Sequence, residues 1–232
     1  MIDQKKLCLR SVIDAILWIT RTGCQWRNLD SQYHKWESVY HYFRKWKNDG
    51  TIELINLKLA TNDRLYSGRK RSPSLLAIDS QSVKLSPFLN IERGIDGHKK
   101  INGCKRHIIV DSEGRFLGIH IGPANQHDGA GGVELLPKIA LISERLEIIK
   151  EDKAYGGLFK KNADLYGFPV ETKQRPPSKE KGFIPEFKRW QVERSFGWLN
   201  FFRRLSKDYE RLPKSHMCFI YLASITMLIN KT

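Results

Sequence analysis

Three acidic residues in this chain occupy positions from which carboxylates can do chemistry. Asp79 follows the apolar residues 75–78, and Asp152 ends a strand-like stretch, residues 146–152. Open sheets tend to present functional side chains where a buried strand ends. Glu193 lies at the edge of an apolar stripe whose spacing predicts a helix packed on a core. The sequence therefore predicts two carboxylates at strand ends and a third on a helix.

Three carboxylates gathered at one edge of a sheet would repel one another unless cations neutralise them. Hard oxygen ligands in an open site suit Mg²⁺ or Mn²⁺. Two such ions about 3.5–4 Å apart support phosphoryl transfer, because they activate the attacking hydroxyl and stabilise the leaving oxygen. Asp79, Asp152 and Glu193 are therefore candidate catalytic residues and candidate ligands of a two-metal site.

Each acidic residue also has a plainer interpretation. Asp79 and Asp152 could be turn or helix-capping residues. Glu193 could be an ion-pair partner of the basic residues around it, which would contribute little by itself. Asp111 ends another strand-like stretch, but Asp111-Ser-Glu-Gly114 is an ordinary turn sequence. We expect Asp111 to be a turn residue rather than a metal ligand.

The charge balance indicates a polyanionic partner. The 40 lysines and arginines exceed the 25 aspartates and glutamates, giving a formal net charge of +15. A surplus of this size favours DNA or RNA without distinguishing them. Arg189 and Arg194 flank Glu193. They are expected to contact DNA phosphates or to orient the glutamate, and a solvated basic face is the alternative.

Composition argues against several other classes. The four cysteines form no C-x-x-C pair, so neither a zinc ribbon nor a disulfide framework is indicated. The longest apolar run, residues 217–229, is shorter than the roughly 20 residues that span a bilayer. The N-terminal residues show no signal-peptide pattern. We expect a cytoplasmic, nucleoid-associated protein without a membrane partner.

The first 66 residues read as helical. Apolar spacing predicts helices over residues 9–22, 31–48 and 52–65, with Gly23 as a C-cap. Three short helices are compatible with a helix-turn-helix-like DNA-binding domain, and equally with a plain helical bundle. Residues 67–74 are basic and rich in Gly, Ser and Pro, which is typical of an interdomain linker.

Residues 75–232 change to a pattern of strands and helices. Strands are predicted over residues 75–78, 106–110, 116–121, 147–150 and 168–172. Helices are predicted over residues 133–146 and 158–166 and around Glu193. This order predicts an α/β domain in which helices flank a mixed sheet.

Four segments resemble motifs of bacterial insertion-sequence transposases of the IS-four/IS-five superfamily, IS-five type. They are Asp79-Ser-Gln-Ser-Val-Lys84, Lys105-Arg-His-Ile-Ile-Val-Asp111, Asp152 to Tyr155 and Trp190-Gln-Val-Glu193-Arg. The resemblance extends from about Leu9 to the end of the chain. It implies an RNase H-like core carrying an Asp-Asp-Glu triad, with Asp79, Asp152 and Glu193 at the matching positions.

The resemblance also implies a function. It is metal-dependent cleavage at the ends of a mobile DNA element, followed by attack of the freed 3′-hydroxyl on target DNA. Divalent metal is the cofactor that this implies, and a homodimer on paired DNA ends is the implied assembly. The basic residues expected to contact DNA are Lys84, Lys105, Arg106, Arg189, Arg194, Arg203 and Arg204.

The chain departs from the family pattern at several positions. The tyrosine and lysine of a tyrosine-arginine-glutamate-lysine signature fall on Glu186 and Asn200, and Cys104 stands where relatives usually have arginine. The chain also begins almost at the point matching Leu9, which suggests a truncated copy. Two alternatives therefore remain: an inactive, element-derived DNA-binding protein, and a different RNase H-like nuclease or resolvase.

Overall fold

The computed structural model describes residues 7–87, 93–172 and 190–231. Its α-helices are α1 (Leu9–Thr22), α2 (Trp36–Asn48), α3 (Thr51–Tyr66), α4 (Asp128–Val133), α5 (Leu136–Ile142), α6 (Gly156–Leu165), α7 (Trp190–Leu199) and α8 (Pro213–Ile229). Its strands are β1 (Leu75–Lys84), β2 (Gly94–Asp96), β3 (Ile101–Asp111), β4 (Phe116–Pro123), β5 (Ile148–Glu151) and β6 (Val170–Thr172). Two short 3-10 helices cover Trp26–Asn28 and Arg203–Leu205.

The strands form one mixed sheet. β1 lies between β3, with which it pairs antiparallel, and β5, with which it pairs parallel. β6 extends the parallel side, while β4 and β2 both pair antiparallel with β3. The α/β fold predicted with the RNase H-like resemblance, a mixed sheet flanked by helices and preceded by helices, is confirmed.

Side chains alternate along β1, so its residues join two different apolar clusters, one on each face of the sheet. Leu76 and Ile78 pack with Ile149, Tyr155 and Phe159. Ala77 and Val83 point to the other face, where a larger apolar cluster includes residues of α1, α2, α7 and α8. This larger cluster holds α7, the helix that carries Glu193, against the sheet.

The N-terminal helices form part of that larger cluster. Val12 of α1 and Phe43 of α2 share it with Phe219 of α8 and Ala77 of β1. α1 ends as predicted at Gly23, whose φ of 72° suits glycine and whose N–H donates to the Ile19 carbonyl at 2.9 Å. The helical segment is therefore packed on the sheet, and a domain boundary at residues 67–74 stays a prediction.

Besides the longer strands β1 and β3, a missed strand and a divided helix differ from the sequence prediction. β2 was not predicted, because three residues carry too little periodicity to be recognised. The helix predicted over residues 133–146 is replaced by α4 and α5, with Pro137 near the start of α5. Among the described residues, no helix is both long and apolar enough to cross a membrane.

Candidate active site

Asp79 lies within β1 rather than at its end. The strand continues to Lys84 because residues 80–84 pair with residues 103–107 of β3. Parallel pairing with β5, in contrast, stops at Ala77. The prediction of a strand end is therefore wrong for β1 as a whole, although Asp79 does lie just past the parallel part of the sheet. Its side chain is half-buried, and its Oδ1 accepts the Ser80 N–H at 2.8 Å.

Asp152 directly follows β5, as predicted. Ala77 pairs with Lys150, so the same register continued by two residues brings Asp152 level with Asp79 on the neighbouring strand. The Asp152 Oδ1 accepts the Lys153 N–H at 2.6 Å, and its carbonyl accepts the Tyr155 N–H at 2.9 Å. These bonds turn the chain away from the sheet immediately after the carboxylate.

Helix α7 lies on the face to which Asp79 points. Asp79 has the same parity along β1 as Ala77, and Ala77 shares an apolar cluster with Val192 and Phe196 of α7. The helix contacts both β1 and β3. The carboxylate of Asp79 and the helix that carries Glu193 are therefore on one side of the sheet.

Glu193 lies on the exposed side of α7. The buried residues of this helix lie on its other side. They are Gln191, Val192, Ser195, Phe196 and Leu199. Within the part of the chain that the structure describes, Asp79, Asp152 and Glu193 do not form a group whose ligand atoms all lie within 4.8 Å of one another. The helix that carries Glu193 packs on the face to which Asp79 points, but the three carboxylates do not form a tight cluster among the described residues.

Most of the basic residues predicted to bind DNA make contacts inside the protein. Arg106 is buried, and its guanidinium donates to His216 Nε2 and to the Leu205 carbonyl, both at 2.7 Å. Arg204 is buried in an ion pair with Glu210 at 2.6 Å. Lys105 is also buried and contacts Asp128 at 3.0 Å.

Arg194 has an internal position as well. Its guanidinium lies between the indole rings of Trp190 and Trp198, 4.3 and 4.5 Å from their centroids, and its Nη2 donates to the Glu113 carbonyl at 2.9 Å. Lys84 and Arg203 are exposed. Arg189 lies outside the described residues.

A second group of potential metal ligands was not predicted from the sequence. Cys104, Asp208 and His216 are buried, and their ligand atoms lie within 4.8 Å of one another. These residues are far apart in the chain, at spacings that match no metal-binding motif, so only the fold brings them together. His216 Nδ1 lies 2.6 Å from the Asp208 carboxylate, and Cys104 Sγ donates to Asp208 at 3.3 Å.

The hydrogen bonds of this group do not suit a cation. Arg106 Nε donates to His216 Nε2, so the ring proton is assigned to Nδ1, where it bonds to Asp208. A metal on Nδ1 would move that proton to Nε2, directly against the guanidinium N–H. Burial also raises the pKa of Cys104, which disfavours the thiolate that binds metal. We interpret the group as a buried hydrogen-bond network.

The pKa values of His216, Asp208 and Arg106 are all lowered in this network, but for different reasons. Burial and the nearby Arg106 lower the pKa of His216, so the ring stays neutral. Burial alone would raise the pKa of Asp208, but His216 and the Glu210 N–H hold it below its usual value. Burial lowers the pKa of Arg106 to about 10, and the guanidinium remains charged at neutral pH. Asp208 and Arg106 are therefore an internal charge pair linked through a neutral histidine.

Two family models match this sequence. A model described as "Transposase DDE domain" matches residues 70–228, which include Asp79, Asp152 and Glu193. A model described as "Putative transposase of IS4/5 family" matches residues 3–56, the region of α1 and α2. Together the two models cover nearly the whole chain.

One curated relative is the "Putative transposase for insertion sequence element IS402" of Burkholderia cepacia. It is 32% identical over 132 residues, which cover 52% of this chain and 60% of the relative. The match thus spans about 60% of the relative's length.

Two solved structures show a distant likeness. The first is described as "Crystal structure of the catalytic domain of Mos1 mariner transposase", with a TM-score of 0.35, 10% identity and coverage of 78% of this chain and 89% of the other. The second is "Mos1 transposase paired-end complex with left transposon end", with a TM-score of 0.30, 10% identity and coverage of 85% and 79%. TM-scores this low support no inference about the site.

Proposed function

Because this chain belongs to the transposase DDE-domain family, whose model matches residues 70–228, we propose that it cuts DNA at the ends of an insertion sequence and joins those ends to target DNA. One observation carries the proposal. The parallel register of β1 and β5, continued two residues past its last pair, would bring Asp152 level with Asp79, and the helix bearing Glu193 packs on the face to which Asp79 points.

The donor set fits divalent metal. Asp79, Asp152 and Glu193 would offer carboxylate oxygens, which Mg²⁺ and Mn²⁺ prefer. When bound, such ions activate an oxygen nucleophile and neutralise the charge that develops on the phosphate. Neither Asp79 nor Glu193 is fully buried, so ions and DNA can approach them from solvent.

The proposed reaction consists of two displacements at phosphorus. In the first, a water oxygen attacks the phosphodiester at the element end, the bond to the 3′-oxygen breaks, and that oxygen takes up a proton. In the second, the resulting 3′-hydroxyl attacks a target phosphodiester, loses its proton and displaces the target 3′-oxygen. Both displacements need the same positioning of nucleophile and leaving oxygen, so one carboxylate site serves both.

DNA binding is proposed for the basic surface around this site. Lys84 ends the strand that carries Asp79, and Arg203 follows the helix that carries Glu193, and both are exposed. Arg189 completes the proposed DNA contacts near Glu193, whereas Arg194 is held by the Glu113 carbonyl and two indole rings. Lys105, Arg106 and Arg204 are held by internal partners, so we propose that they support this surface more than they touch phosphate. Two ends must be joined together, and we propose that a homodimer holds them.

The test is cleavage and strand transfer on DNA carrying the ends that flank this gene, with Mg²⁺ or Mn²⁺. We expect joined product from the wild type, and a loss of at least about 10³-fold, roughly 4 kcal/mol of transition-state stabilisation, in Asp79→Asn, Asp152→Asn and Glu193→Gln. Asp164→Asn on α6 and Glu134→Gln are matched controls because both side chains are exposed acids. These two variants should join DNA as the wild type does.

Other results would change the assignment. Cutting of junctions or RNA–DNA hybrids without joining would favour a different nuclease with the same core. Equal DNA binding by all variants, with no cutting by any of them, would mean an inactive protein. DNA binding alone does not decide between these alternatives, since a charge surplus of this size binds DNA in each case.

A further inference from the structure

The turn between β3 and β4 is held rigidly by its own aspartate. Asp111 Oδ1 accepts the N–H groups of Glu113 at 2.9 Å and Arg115 at 3.1 Å, and the Gly114 N–H donates to the Asp111 carbonyl at 3.0 Å. Gly114 has a φ of 84°, a conformation that suits glycine. Asp111 thus accepts three hydrogen bonds from this turn, two through its side chain and one through its carbonyl.

Buried charges tie this turn to the N-terminal helices. Asp111 is fully buried and forms ion pairs with Arg64 of α3 and with Arg115, the latter at 3.0 Å. The Arg115 Nε lies 2.5 Å from the Asp63 carboxylate, also on α3. An ion-pair network with this much burial breaks only at high cost, because each lost partner leaves an uncompensated charge. Buried ion pairs therefore join the turn to α3.

Helix α7 packs against the same turn. The Ser195 hydroxyl lies 3.1 Å from the Gly114 carbonyl and 2.7 Å from the Gln191 carbonyl, so it can donate to either. Arg194 donates to the Glu113 carbonyl at 2.9 Å. A Cβ at Gly114 would lie 2.7 Å from Ser195 Oγ and 3.4 Å from the Gln191 oxygen. A side chain at position 114 would therefore displace the Ser195 hydroxyl from its contact with the Gly114 carbonyl and press on Trp198 of α7.

Glu193 lies between the contacts that fix the helix. Arg194 is the next residue, and Gln191 and Ser195 are each two residues away. A displacement of the turn would be passed to this part of α7 directly, because the helix backbone is stiff over one turn. A misplacement of about 1 Å in a catalytic group can cost about 10²-fold in rate.

We propose that the β3–β4 turn positions Glu193, with Gly114, Ser195 and Arg194 as positioning residues and Asp111 as the group that keeps the turn fixed. This inference rests on the proposed function, since it assumes that Glu193 acts in DNA cleavage. It assigns a role to the Asp111 turn and to Arg194 that differs from metal binding or phosphate contact. It also makes α3 a support of the catalytic helix.

The experiment compares Gly114→Ala with Gly50→Ala. Gly50 has a nearly equal φ of 81° but nothing within 4 Å of an added Cβ, so it reproduces the backbone strain without the contact to α7. Both variants should lose stability to a similar extent from that strain, seen as similar shifts of the urea unfolding midpoint. Only Gly114→Ala should lose cleavage rate, by about 10²-fold, and require a higher Mg²⁺ concentration for half-maximal rate.

The Mg²⁺ dependence separates positioning from a general structural defect. Loss of folded protein lowers the amplitude of cleavage and leaves the half-saturating Mg²⁺ concentration unchanged. Ser195→Ala is a milder second variant, which removes the hydroxyl without adding an atom, and it tests the same contact if Gly114→Ala does not fold. It should raise the half-saturating Mg²⁺ concentration, whereas Ser224→Ala, a buried serine on α8, should not.

The outcomes distinguish this inference from the proposed function. If Glu193→Gln cleaves as the wild type does, the proposed function fails and this inference fails with it. If Glu193→Gln is inactive while Gly114→Ala and Ser195→Ala keep the wild-type rate and Mg²⁺ dependence, the inference alone is overturned. A raised Mg²⁺ requirement in either of the last two, absent from the Gly50→Ala and Ser224→Ala controls, supports it.

Discussion

Asp79 and Asp111 lie on neighbouring strands of one sheet, each after a buried apolar stretch, yet their surroundings differ. Asp111 is fully buried, with two arginines and two backbone N–H groups around its carboxylate. Asp79 is half-buried and lies beyond the last residue pair between β1 and β5. The comparison shows that access, more than residue type, separates a carboxylate that maintains the fold from one that can meet a ligand.

The largest effect expected from this comparison is on stability. Asp111→Asn removes the carboxylate paired with the buried Arg64 and one of the three carboxylates paired with Arg115, and we expect a loss of about 3–5 kcal/mol of unfolding free energy. Asp79→Asn, the matched change on the neighbouring strand, should cost less than about 1 kcal/mol. Urea unfolding of both variants measures the difference. Equal losses would show that Asp79 is also a structural charge.

The basic residues allow the same comparison between exposed and buried groups. Lys84→Ala should weaken DNA binding and reduce the slope of log affinity against log salt by about 1, because an exposed lysine neutralises one phosphate. Arg204→Ala should instead lower the unfolding free energy by about 3 kcal/mol, since it leaves the Glu210 carboxylate without its ion-pair partner.

Fluorescence anisotropy on labelled duplex DNA at several salt concentrations measures the first effect, and urea unfolding measures the second. If Lys84→Ala leaves the salt slope unchanged, the exposed end of β1 is not part of the DNA-binding surface. If Arg204→Ala unfolds as the wild type does, its internal ion pair is not needed for stability.

The smallest effect concerns Glu151, the residue before Asp152. Burial raises the pKa of Glu151 above its usual value, despite a hydrogen bond from Thr172. A carboxyl whose folded pKa is raised stabilises the protein at low pH, and that stabilisation is lost as pH rises through the folded pKa. Glu151→Gln should therefore raise the unfolding free energy by about 1 kcal/mol at pH 7 and have no effect near pH 3.5.

Urea unfolding at the two pH values checks this prediction, with the exposed Glu134→Gln as control. A gain that is larger at low pH would contradict the assigned direction of the pKa shift. Asp152, one residue further on and outside the strand, should show no comparable gain when changed to asparagine. The unfolding free energies of the two variants would then distinguish the buried carboxyl of Glu151 from the accessible carboxyl of Asp152.

Much of the fold followed from local patterns. The helices α1, α2 and α3, the C-cap at Gly23 and the main strands were predicted because apolar periodicity extends over enough residues to be recognised. β2 is too short for such a signal, and the end of β1 was misplaced because its last residues pair with β3, a partner that a local pattern does not reveal. The proposed triad stays a prediction, supported by the register of β1 and β5.

The sequence by itself determined the α/β order of elements, the family and the excess of positive charge, because these depend on residue types and local spacing. Only the tertiary structure decided which charged residues are accessible. Arg106, Arg204 and Asp111 look like surface residues in the sequence, but distant segments bury them with matching partners. Burial and pairing are set by contacts between residues far apart in the chain, so no local pattern encodes them.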